Sequence, residues 1–359
     1  MKNIGFFKKL GLNSFALYKN IQKELHDLNY LFWECTLKCS LSCKHCGSDC
    51  KTDAKVKDMP LCDFTTVLKS VSKKYNPNKV MLVLSGGEPL LRNDLEECGR
   101  TFYNMGFPWG IVSNGYALNQ SRFDALINAG MRSITISLDG LKESHNWLRG
   151  KKDSFDRAVR SIEIINKNRE VVSDVVTCVN SRNISELDSF KTLLLEKGAR
   201  NWRLFTIFPR GRARDDEELK LSNADFRILM EFIVKTNGEG LIRSSYGCEG
   251  FLGKYENVVR NGYFFCRAGV NIGSVLADGS ISACPSLRGD FIQGNIYKED
   301  FLDVWENRYS IMRDRKWTRK DQCADCDVYK WCEGNGLHLW DEETKTLCKC
   351  HYKDLFESA

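Results

Sequence analysis

The stretch Glu34-Cys-Thr-Leu-Lys-Cys-Ser-Leu-Ser-Cys-Lys-His-Cys46 decides both the fold and the chemistry that this sequence predicts. It spaces Cys39, Cys43 and Cys46 as C-x3-C-x2-C, which can hold three irons of a four-iron cluster and leave the fourth without a protein ligand. An iron that lacks one ligand can bind a substrate or cofactor directly. The motif follows a strand-like run at 31–36. It therefore lies at the carboxyl end of a strand, the edge where α/β barrels build their active sites.

A zinc site is the alternative, because zinc also takes closely spaced thiolates. Structural zinc requires four closed ligands, commonly supplied by two C-x2-C pairs. The nearest fourth thiolate is Cys50, which would make a cramped site. The spacing therefore favours an iron–sulfur cluster.

The composition indicates a globular chain without a membrane span. Of the 359 residues 42% are hydrophobic and 28% are charged, and the longest aliphatic run, Val80–Leu84, is far too short to cross a bilayer. The first ten residues contain lysines but no signal-peptide core, so we expect a cytoplasmic protein without a membrane partner. The net charge of +6 is spread along the chain, so nucleic acid is not an expected partner.

The cysteines are numerous and unevenly placed. There are sixteen, and only Cys98 and Cys178 lie between Cys62 and Cys248. In a reducing compartment such enrichment indicates metal binding rather than disulfides. We therefore expect metal centres near both ends of the chain.

Strand-like and helix-like segments alternate after a helical lead-in at 1–29. The lead-in carries Phe6, Phe7, Leu10, Phe15 and Leu17, which we expect to pack on the core, with a barrel end or a partner as alternatives. Six strands are predicted, at 31–36, 79–84, 109–113, 133–138, 172–179 and 202–208. Helices are predicted between them, at 63–73, 121–128, 155–166 and 184–197. Six β-then-α units predict an α/β fold with a parallel sheet, a partial (β/α)6 barrel two units short of a TIM barrel.

The pattern changes near residue 245. Glycines and cysteines become more frequent, and a hairpin-like piece joins 274–276 to 280–283 through Asp278-Gly279. We therefore predict three parts, a lead-in at 1–29, a barrel at 30–245 and a small cysteine-rich domain at 246–359.

These motifs resemble the radical SAM superfamily, whose members combine a [4Fe–4S] cluster with S-adenosylmethionine. His45 stands where the family usually places an aromatic ring near the adenine. Gly86-Gly87-Glu88-Pro89 follows the second strand, as does the family turn that holds the methionine amino group through backbone carbonyls and the glutamate. Alone, this motif would be an ordinary strand-ending turn. Its position after the second strand makes the resemblance specific.

Two further strand ends agree with the resemblance. Ser113-Asn114-Gly115 ends the third strand, and Ser137-Leu138-Asp139-Gly140 ends the fourth, before His145 and Arg149-Gly150. The resemblance implies cofactor contacts from Asn114, Ser137, Asp139 and Arg149. An arginine at 149 could equally be an ion-paired surface residue.

The C-terminal part resembles the SPASM domain, which binds auxiliary iron–sulfur clusters. Family spacings recur in Cys266 followed by Gly279-x4-Cys284, and in Cys323-x2-Cys326-x5-Cys332. The resemblance implies one complete auxiliary cluster with four cysteine ligands, Cys323, Cys326, Cys332 and Cys348, or Cys350 in place of Cys348. A zinc ribbon is the alternative, because Cys323-x2-Cys326 is also a zinc knuckle.

The family pattern continues with a cysteine where this sequence has Gly336. That cysteine normally closes the first auxiliary cluster, so Cys266 and Cys284 need another partner, and Cys248 is the nearest spare. The first auxiliary cluster could keep an open iron, be smaller, or be absent. His338 and His351 lie near the last cysteines, and we expect them to be structural.

The resemblance implies a radical enzyme. The reduced cluster would pass one electron to S-adenosylmethionine, and the resulting 5′-deoxyadenosyl radical would take a hydrogen atom from the substrate. SPASM-containing members most often modify peptides or proteins. We therefore expect a ribosomally made peptide or a protein side chain as the substrate, and a flavodoxin or ferredoxin as the reductant.

Other activities are weighed against this one. Formylglycine-forming members usually carry an aspartate after the second SPASM cysteine, where this chain has Pro285. Dehydrogenation or rearrangement of a small molecule, such as a sugar or an alcohol, is the enzymatic alternative. A non-catalytic iron–sulfur electron carrier or scaffold is the alternative of another class, and the intact cysteine motif and Glu88 argue against it.

Overall fold

Seven parallel strands in chain order form most of one sheet in the computed structural model, which describes residues 4–247 and 249–357. The strands are β1 (Tyr30–Thr36), β2 (Met81–Gly86), β3 (Trp109–Ser113), β4 (Met131–Ser137), β5 (Val172–Val179), β6 (Asn201–Thr206) and β7 (Arg243–Tyr246). The helices before and between them are α1 (Phe6–Leu25), α2 (Leu61–Val71), α3 (Leu95–Asn104), α4 (Gln120–Asn128), α5 (Lys142–Arg149), α6 (Ser154–Lys167), α7 (Leu187–Glu196) and α8 (Asn223–Glu239). The predicted α/β fold with a partial barrel is confirmed.

The predicted strands lie where the structure has them, within a few residues at each end. The bounds of β3 and β5 are those predicted. Parallel strands are buried on both faces, so they appear in the sequence as short apolar runs between turn signals. Aromatic side chains fill the layer between sheet and helices, and Trp33 stacks on Phe64 with ring centroids 4.4 Å apart. β7 was not predicted, because its four residues, Arg-Ser-Ser-Tyr, carry no apolar run.

The sheet continues through the C-terminal part of the chain. β8 (Ile272–Val275) pairs parallel with β1 on the side away from β2. β9 (Ser280–Ser282) and β10 (Gly294–Asn295) extend this side with antiparallel pairing, so the predicted hairpin across Asp278-Gly279 is confirmed. The remaining helices are α9 (Phe301–Asn307), α10 (Ser310–Arg313), α11 (Tyr329–Cys332) and α12 (His351–Phe356).

The lead-in helix α1 does not pack as predicted. Phe6, Phe7, Leu10 and Leu17 are exposed, whereas Phe15 is half-buried against Tyr263. The prediction of core packing is therefore wrong for four of these five residues. Neither α1 nor any other helix in the described part of the chain has the length and apolar composition that crossing a membrane requires.

Candidate functional site

The carboxyl ends of neighbouring parallel strands bring the predicted site residues to one edge of the sheet. The cysteine loop follows β1, Gly87-Glu88-Pro89 follows β2, and Asn114 follows β3. Asp139 follows β4 by two residues, and Ser137 is buried at the end of that strand. The register between β1 and β2 shifts between Glu34 and Thr36, which bends β1 where the cysteine loop begins.

Close backbone contacts hold the cysteine loop in place. The Lys44 amide donates to the Leu148 carbonyl at 2.8 Å, and the Cys39 amide donates to the Lys51 carbonyl at 3.1 Å. Gly211, in the left-handed region at φ +54°, packs so tightly on the loop that a Cβ would collide with the carbonyl oxygen of Cys46. The loop is therefore positioned by the ends of several other elements.

Each thiol of the C-x3-C-x2-C motif has its own polar neighbour. Asn114 Nδ2 lies 3.7 Å from the Cys39 sulfur, and Arg149 Nη1 lies 3.7 Å from the Cys43 sulfur. The amide of Cys50 donates to the Cys46 sulfur at 3.3 Å. These donors would stabilise thiolates and the negative charge of a cluster bound to them.

The pKa values of the three thiols differ with their surroundings. Burial raises the pKa of Cys39 to about 11 and also raises that of Cys43. A hydrogen bond from the Cys50 thiol lowers the pKa of Cys46 to about 6. Cys46 is thus the thiol that most readily becomes a thiolate, the form that binds metal.

The carboxylate of Glu88 joins the ends of β2 and β3. Its Oε2 accepts from the Asn114 amide at 2.7 Å, and its Oε1 accepts from the Ser113 hydroxyl at 2.8 Å and the Leu90 amide at 3.1 Å. Burial raises its pKa despite these three donors. The sequence did not predict that Glu88 positions Asn114.

Gly86 and Gly87 stand where no side chain would fit. A Cβ on Gly86, at φ +126°, would collide with the Thr36 carbonyl oxygen, and one on Gly87 would collide with that of Lys38. The Glu88 amide donates to the same Lys38 carbonyl at 2.8 Å. The glycines therefore bring the turn after β2 against the start of the cysteine loop.

Asp139 and Arg149 form a buried ion pair beside the cysteine loop. Arg149 Nε donates to Asp139 Oδ2 at 2.6 Å, and Asp139 Oδ1 accepts from the Cys178 amide at 2.8 Å. Burial alone would raise the pKa of Asp139, but Arg149, the two neighbouring histidines and the Cys178 amide together outweigh it and hold that pKa below its usual value. Arg149 is 8% exposed, so it is not a surface residue.

Two neighbouring histidines are neutral. Burial lowers the pKa of His45 to about 4 and that of His145 to about 3. The backbone amide of Asp139 donates to His145 Nδ1 at 3.0 Å, so this ring carries its proton on Nε2. Neutral rings suit packing beside a ligand better than pairing with a charge.

Buried polar atoms without hydrogen-bond partners concentrate around the cysteine loop. Six such atoms lie here: Ser40 Oγ, His45 Nδ1, Ser85 Oγ, His145 Nε2, and Nε and Nη2 of Arg212. Buried polar groups normally have partners, so this concentration indicates a site shaped for a polar ligand.

An open cavity of about 440 Å³ lies beside the loop and is lined by both parts of the chain. Its walls include residues of the cysteine loop (His45–Ser48), the end of β6 with the segment after it (Phe205–Phe208 and Arg210-Gly211, with Arg214), and the C-terminal part (Pro285, Ser286, Arg288 and Glu342). Arg210 pairs with Glu342 at 2.8 Å, while the side chain of Arg214 is 55% exposed and lies 3.9 Å from Asp341. The cavity walls therefore combine apolar residues with charged residues of both signs.

The sequence analysis missed the cavity residues Arg210-Gly-Arg-Ala-Arg214. The signal that could have found them is their position directly after a parallel strand, because the other site segments follow strands in the same way. Arg288 and Glu342 carry no such signal, because folding of the C-terminal part alone brings them to the cavity.

A second group of cysteines lies in the C-terminal part. Cys323, Cys332 and Cys350 influence one another electrostatically, and the Cys326 thiol acts on Cys323 and Cys350. The Asn335 amide donates to the Cys332 sulfur at 3.1 Å, and its side-chain Nδ2 lies 3.7 Å from the Cys350 sulfur. The structure therefore brings Cys323, Cys326, Cys332 and Cys350 together.

Cys348, named first in the sequence analysis, lies apart from this group. It is exposed, and its charged neighbours are Arg210, Asp341 and Arg214. In an extended segment, residues two positions apart point to the same side. The sequence therefore could not show which of Cys348 and Cys350 lies near the other cysteines. In the structure it is Cys350 that contacts Asn335.

The position of Gly336 leaves no room for a larger residue. A Cβ there would lie 2.6 Å from both the Glu249 carbonyl oxygen and His338 Cε1. The buried His338 ring stacks on Phe208 at 4.1 Å, and burial lowers its pKa to about 4. Cys266 and Cys284 are half-buried and pack against the main core, and Cys248 lies outside the described residues.

The spacing of the thiols bears on the zinc alternative. A tetrahedral zinc ion with Zn–S bonds of about 2.3 Å holds its sulfurs about 3.8 Å apart. Within residues 4–247 and 249–357, the one set of three ligand atoms all within 4.8 Å of one another is His45, Asp139 and Cys178. Cys39, Cys43 and Cys46 do not form such a set among these residues.

Two family models match this chain. The model of the radical SAM superfamily matches residues 33–194, and that of SPASM, an iron–sulfur cluster-binding domain, matches residues 266–327. Together they cover the cysteine loop, the predicted cofactor residues and Cys266 to Cys326. The chain therefore contains both domains that the sequence motifs predicted.

Named relatives have different activities. The AdoMet-dependent heme synthase of Methanosarcina barkeri is 28% identical over 322 residues, which are 84% of this chain and 89% of that protein. Mycofactocin maturase MftC of Mycolicibacterium smegmatis is 28% identical over 312 residues, 85% of this chain and 76% of that protein. Streptococcus suis SuiB bound to its precursor peptide SuiA has the same fold, with a TM-score of 0.70 at 18% identity over 90% of this chain and 75% of that one.

Proposed function

We propose, from the premise that the chain is a radical SAM enzyme with an SPASM domain, that it modifies a side chain of a ribosomally made peptide or of a protein. Such an enzyme uses a [4Fe–4S] cluster, S-adenosylmethionine and auxiliary iron–sulfur centres. When bound, these cofactors supply a 5′-deoxyadenosyl radical that removes a hydrogen atom from the substrate.

The residues at the sheet edge fit these cofactors. Cys39, Cys43 and Cys46 would hold the first cluster, and the unpartnered atoms around them offer hydrogen bonds to a polar cofactor. We assign the cofactor to the turn Gly86–Pro89 and to His45, Asn114, Ser137, Asp139 and Arg149. In this assignment Glu88 acts through its bond to the Asn114 amide, and Arg149 neutralises Asp139 beside Cys43.

For the auxiliary cluster we assign Cys323, Cys326, Cys332 and Cys350. Replacing Cys350 by Ser should lower the iron content of the reconstituted protein from about eight to about four atoms per chain, one [4Fe–4S] cluster being lost. Replacing Cys348 by Ser is the matched control and should leave about eight. The opposite pattern would return the fourth ligand to Cys348.

The open cavity between the two domains is the observation that supports a peptide or protein substrate. A peptide segment can enter an open cleft from solvent and present one side chain to the cysteine loop. Walls with both arginine and glutamate, such as Arg288 and Glu342, suit the mixed polarity of a peptide. A volume of about 440 Å³ accommodates a side chain with part of its backbone, within the range of ligand pockets.

Chemistry on an iron porphyrin is the second candidate. The heme synthase relative matches over most of both chains, and Arg214, whose side chain is 55% exposed, could pair with a carboxylate of a porphyrin. Arg210 is less suited to this task, because Glu342 and the carbonyls of His338 and Trp340 already occupy its guanidinium group.

Isotope transfer distinguishes the two substrates. The reconstituted enzyme is incubated without oxygen with S-adenosylmethionine, dithionite and either a deuterated peptide encoded beside its gene or iron coproporphyrin. We expect deuterium from the peptide in 5′-deoxyadenosine and a mass change in the peptide. Deuterium-free 5′-deoxyadenosine with an unchanged peptide, together with porphyrin turnover, would contradict the proposal.

Cysteine variants provide the control for this assay. Cys46→Ala should abolish 5′-deoxyadenosine formation, because it removes a cluster ligand. Cys62→Ser changes an exposed cysteine at the start of α2 and should leave the rate unchanged. Equal loss in both variants would show damage to the fold rather than loss of a ligand.

A further inference from the structure

The helix α1 carries an apolar surface that the rest of the described chain does not cover. Seven of its large hydrophobic side chains are 48–84% exposed: Phe6, Phe7, Leu10, Leu17, Tyr18, Ile21 and Leu25. They are half of the fourteen exposed large hydrophobic residues in the described part of the chain. We call this set the α1 stripe.

The α1 stripe follows one side of the helix, with the exposed Ser14 between Leu10 and Leu17. At about 100° per residue its seven members fall within an arc of about 120°, and they extend for about 28 Å along the helix. With a mean exposure near 63% and about 200 Å² for a fully exposed large side chain, they offer roughly 900 Å². The largest apolar patch on a typical monomer is about 300–600 Å².

The opposite face of α1 holds the helix on the protein through polar contacts. Lys19 is 1% exposed, and its Nζ donates to the Trp331 carbonyl at 2.8 Å and pairs with Glu333 at 3.1 Å. Lys23 pairs with the same Glu333 at 2.7 Å. Leu12, which is 3% exposed, packs on the same side. Lysines therefore share the inward face with a few apolar residues, while most of the large apolar residues of α1 are turned outward.

The same contacts argue against a membrane surface as the occupant. Interfacial helices display many lysines or arginines on the polar face, where anionic lipids attract them. Here Lys19 and Lys23 form ion pairs with Glu333, and Lys8 contacts the carbonyl of Lys254. The charges left at the edge of the stripe are Lys9 and Glu24, which cancel.

We propose that the α1 stripe binds the α1 stripe of a second copy of this chain in a two-fold symmetric dimer. A standard protein interface buries about 800 Å² on each partner, which matches the area of the stripe. A convex apolar helix face can be covered by another helix, and a two-fold symmetric dimer uses the same patch on both copies.

In an antiparallel pair of helices, the stripe of one copy covers the stripe of the other. Phe6 and Phe7 of one copy lie against Leu25 of the other, and Leu10 lies against Ile21. The two charged residues lie on the same side of the stripe near opposite ends, so each Lys9 approaches the Glu24 of the other copy. Parallel pairing would instead place the charged sides of the two copies on opposite flanks of the interface, so these ion pairs would not form.

Sedimentation equilibrium of the reconstituted full-length protein tests the dimer. We expect twice the 41.2 kDa mass of the chain at micromolar concentration. The Phe7→Glu/Leu17→Glu variant should raise the dissociation constant at least about 100-fold, because each charge is placed within the apolar contact. Ile228→Glu/Leu241→Glu changes two exposed hydrophobic residues outside α1 and should remain dimeric.

Exchange of charges tests the antiparallel arrangement. Lys9→Glu and Glu24→Lys should each weaken the dimer several-fold, and the double exchange should restore it. A monomeric wild-type protein at 50 μM overturns the proposal, as does a dimer that survives Phe7→Glu/Leu17→Glu. Binding of the monomer to phosphatidylserine vesicles through the stripe also overturns it, in favour of a membrane. Unchanged iron content and circular dichroism show that the variants fold.

Discussion

Asn335 contacts two cysteines of the second cysteine group, Cys332 and Cys350. Its backbone is in the left-handed region at φ +63°, which asparagine tolerates better than most residues. This conformation directs its amide to Cys332, while its side chain reaches Cys350 and accepts from the Phe251 amide at 3.0 Å. Hydrogen bonds to cluster sulfurs raise the reduction potential, because they stabilise the more negative reduced state.

Replacing Asn335 by Asp removes the side-chain amide group that donates to Cys350 and keeps the side-chain oxygen that accepts from the Phe251 amide. We expect the potential of the auxiliary cluster to fall by on the order of 40 mV or more, which corresponds to a lost hydrogen bond of about 1 kcal/mol for one electron. A redox titration followed by electron paramagnetic resonance measures the shift. Asn257→Asp, at another left-handed but exposed asparagine, is the control and should leave the potential unchanged.

The segment after β6 packs against the cysteine loop and holds it in position. Gly211→Ala should lower both iron incorporation and thermal stability, because the new methyl group meets the Cys46 carbonyl and φ is positive. We expect a loss of about 2–4 kcal/mol, of which about 1–2 comes from the backbone conformation alone. Differential scanning calorimetry and iron analysis measure the two effects.

Gly240→Ala separates the two causes. Gly240 also has a positive φ of +69°, but open space surrounds it. This variant should therefore show only the backbone cost and retain its full iron content. Equal iron loss in the two variants would contradict the role of Gly211 in holding the loop.

Glu306 of α9 contacts the residues that follow α1 and α2. It pairs with Lys74 at 2.5 Å and accepts from the Tyr75 hydroxyl at 2.7 Å, and His26 lies at 3.3 Å. Burial alone would raise the pKa of Glu306, but these donors outweigh it and lower the pKa below its usual value. Because the folded-state pKa is lowered, this stabilisation is complete above the unfolded value of about 4.3 and is lost as the pH falls through the folded value.

Glu306→Gln should therefore destabilise the protein by about 1 kcal/mol at pH 7, a modest amount because the site is partly exposed. The difference between variant and wild type should shrink toward zero below about pH 4. Urea unfolding at several pH values measures it. A difference that stays constant with pH would show that the carboxylate charge is not responsible.

For the whole molecule, the sequence predicts those features that local patterns determine. Strands β1 to β6, the turn at Gly86–Pro89 and the cysteine motif follow from apolar runs, glycines and spacing. The direction of α1 could not be predicted, because an apolar stripe looks the same whether it faces the core or solvent. The position of Cys350, rather than Cys348, near the other three cysteines and that of Arg288 at the cavity depend on contacts between residues distant in the chain.

The pairing of β8 with β1 makes the two predicted domains parts of one sheet. Glu34 of β1 adds to this connection, because its Oε2 accepts from the Ala277 amide at 3.0 Å and its Oε1 accepts from Arg288. The central strand β1 thus has neighbours from both domains, and neither can unfold without exposing an edge of the other. We therefore expect a single cooperative thermal transition for the reconstituted protein.

Calorimetry together with the visible absorbance of the clusters tests this expectation. The heat-absorption peak and the loss of absorbance should coincide, with equal calorimetric and van't Hoff enthalpies. Arg288→Ala removes the partner of the buried Glu34 carboxylate, so it should lower the transition temperature while keeping one transition, since the β1–β8 pairing remains. Two separate transitions in the wild type would mean that the shared sheet does not couple the two domains.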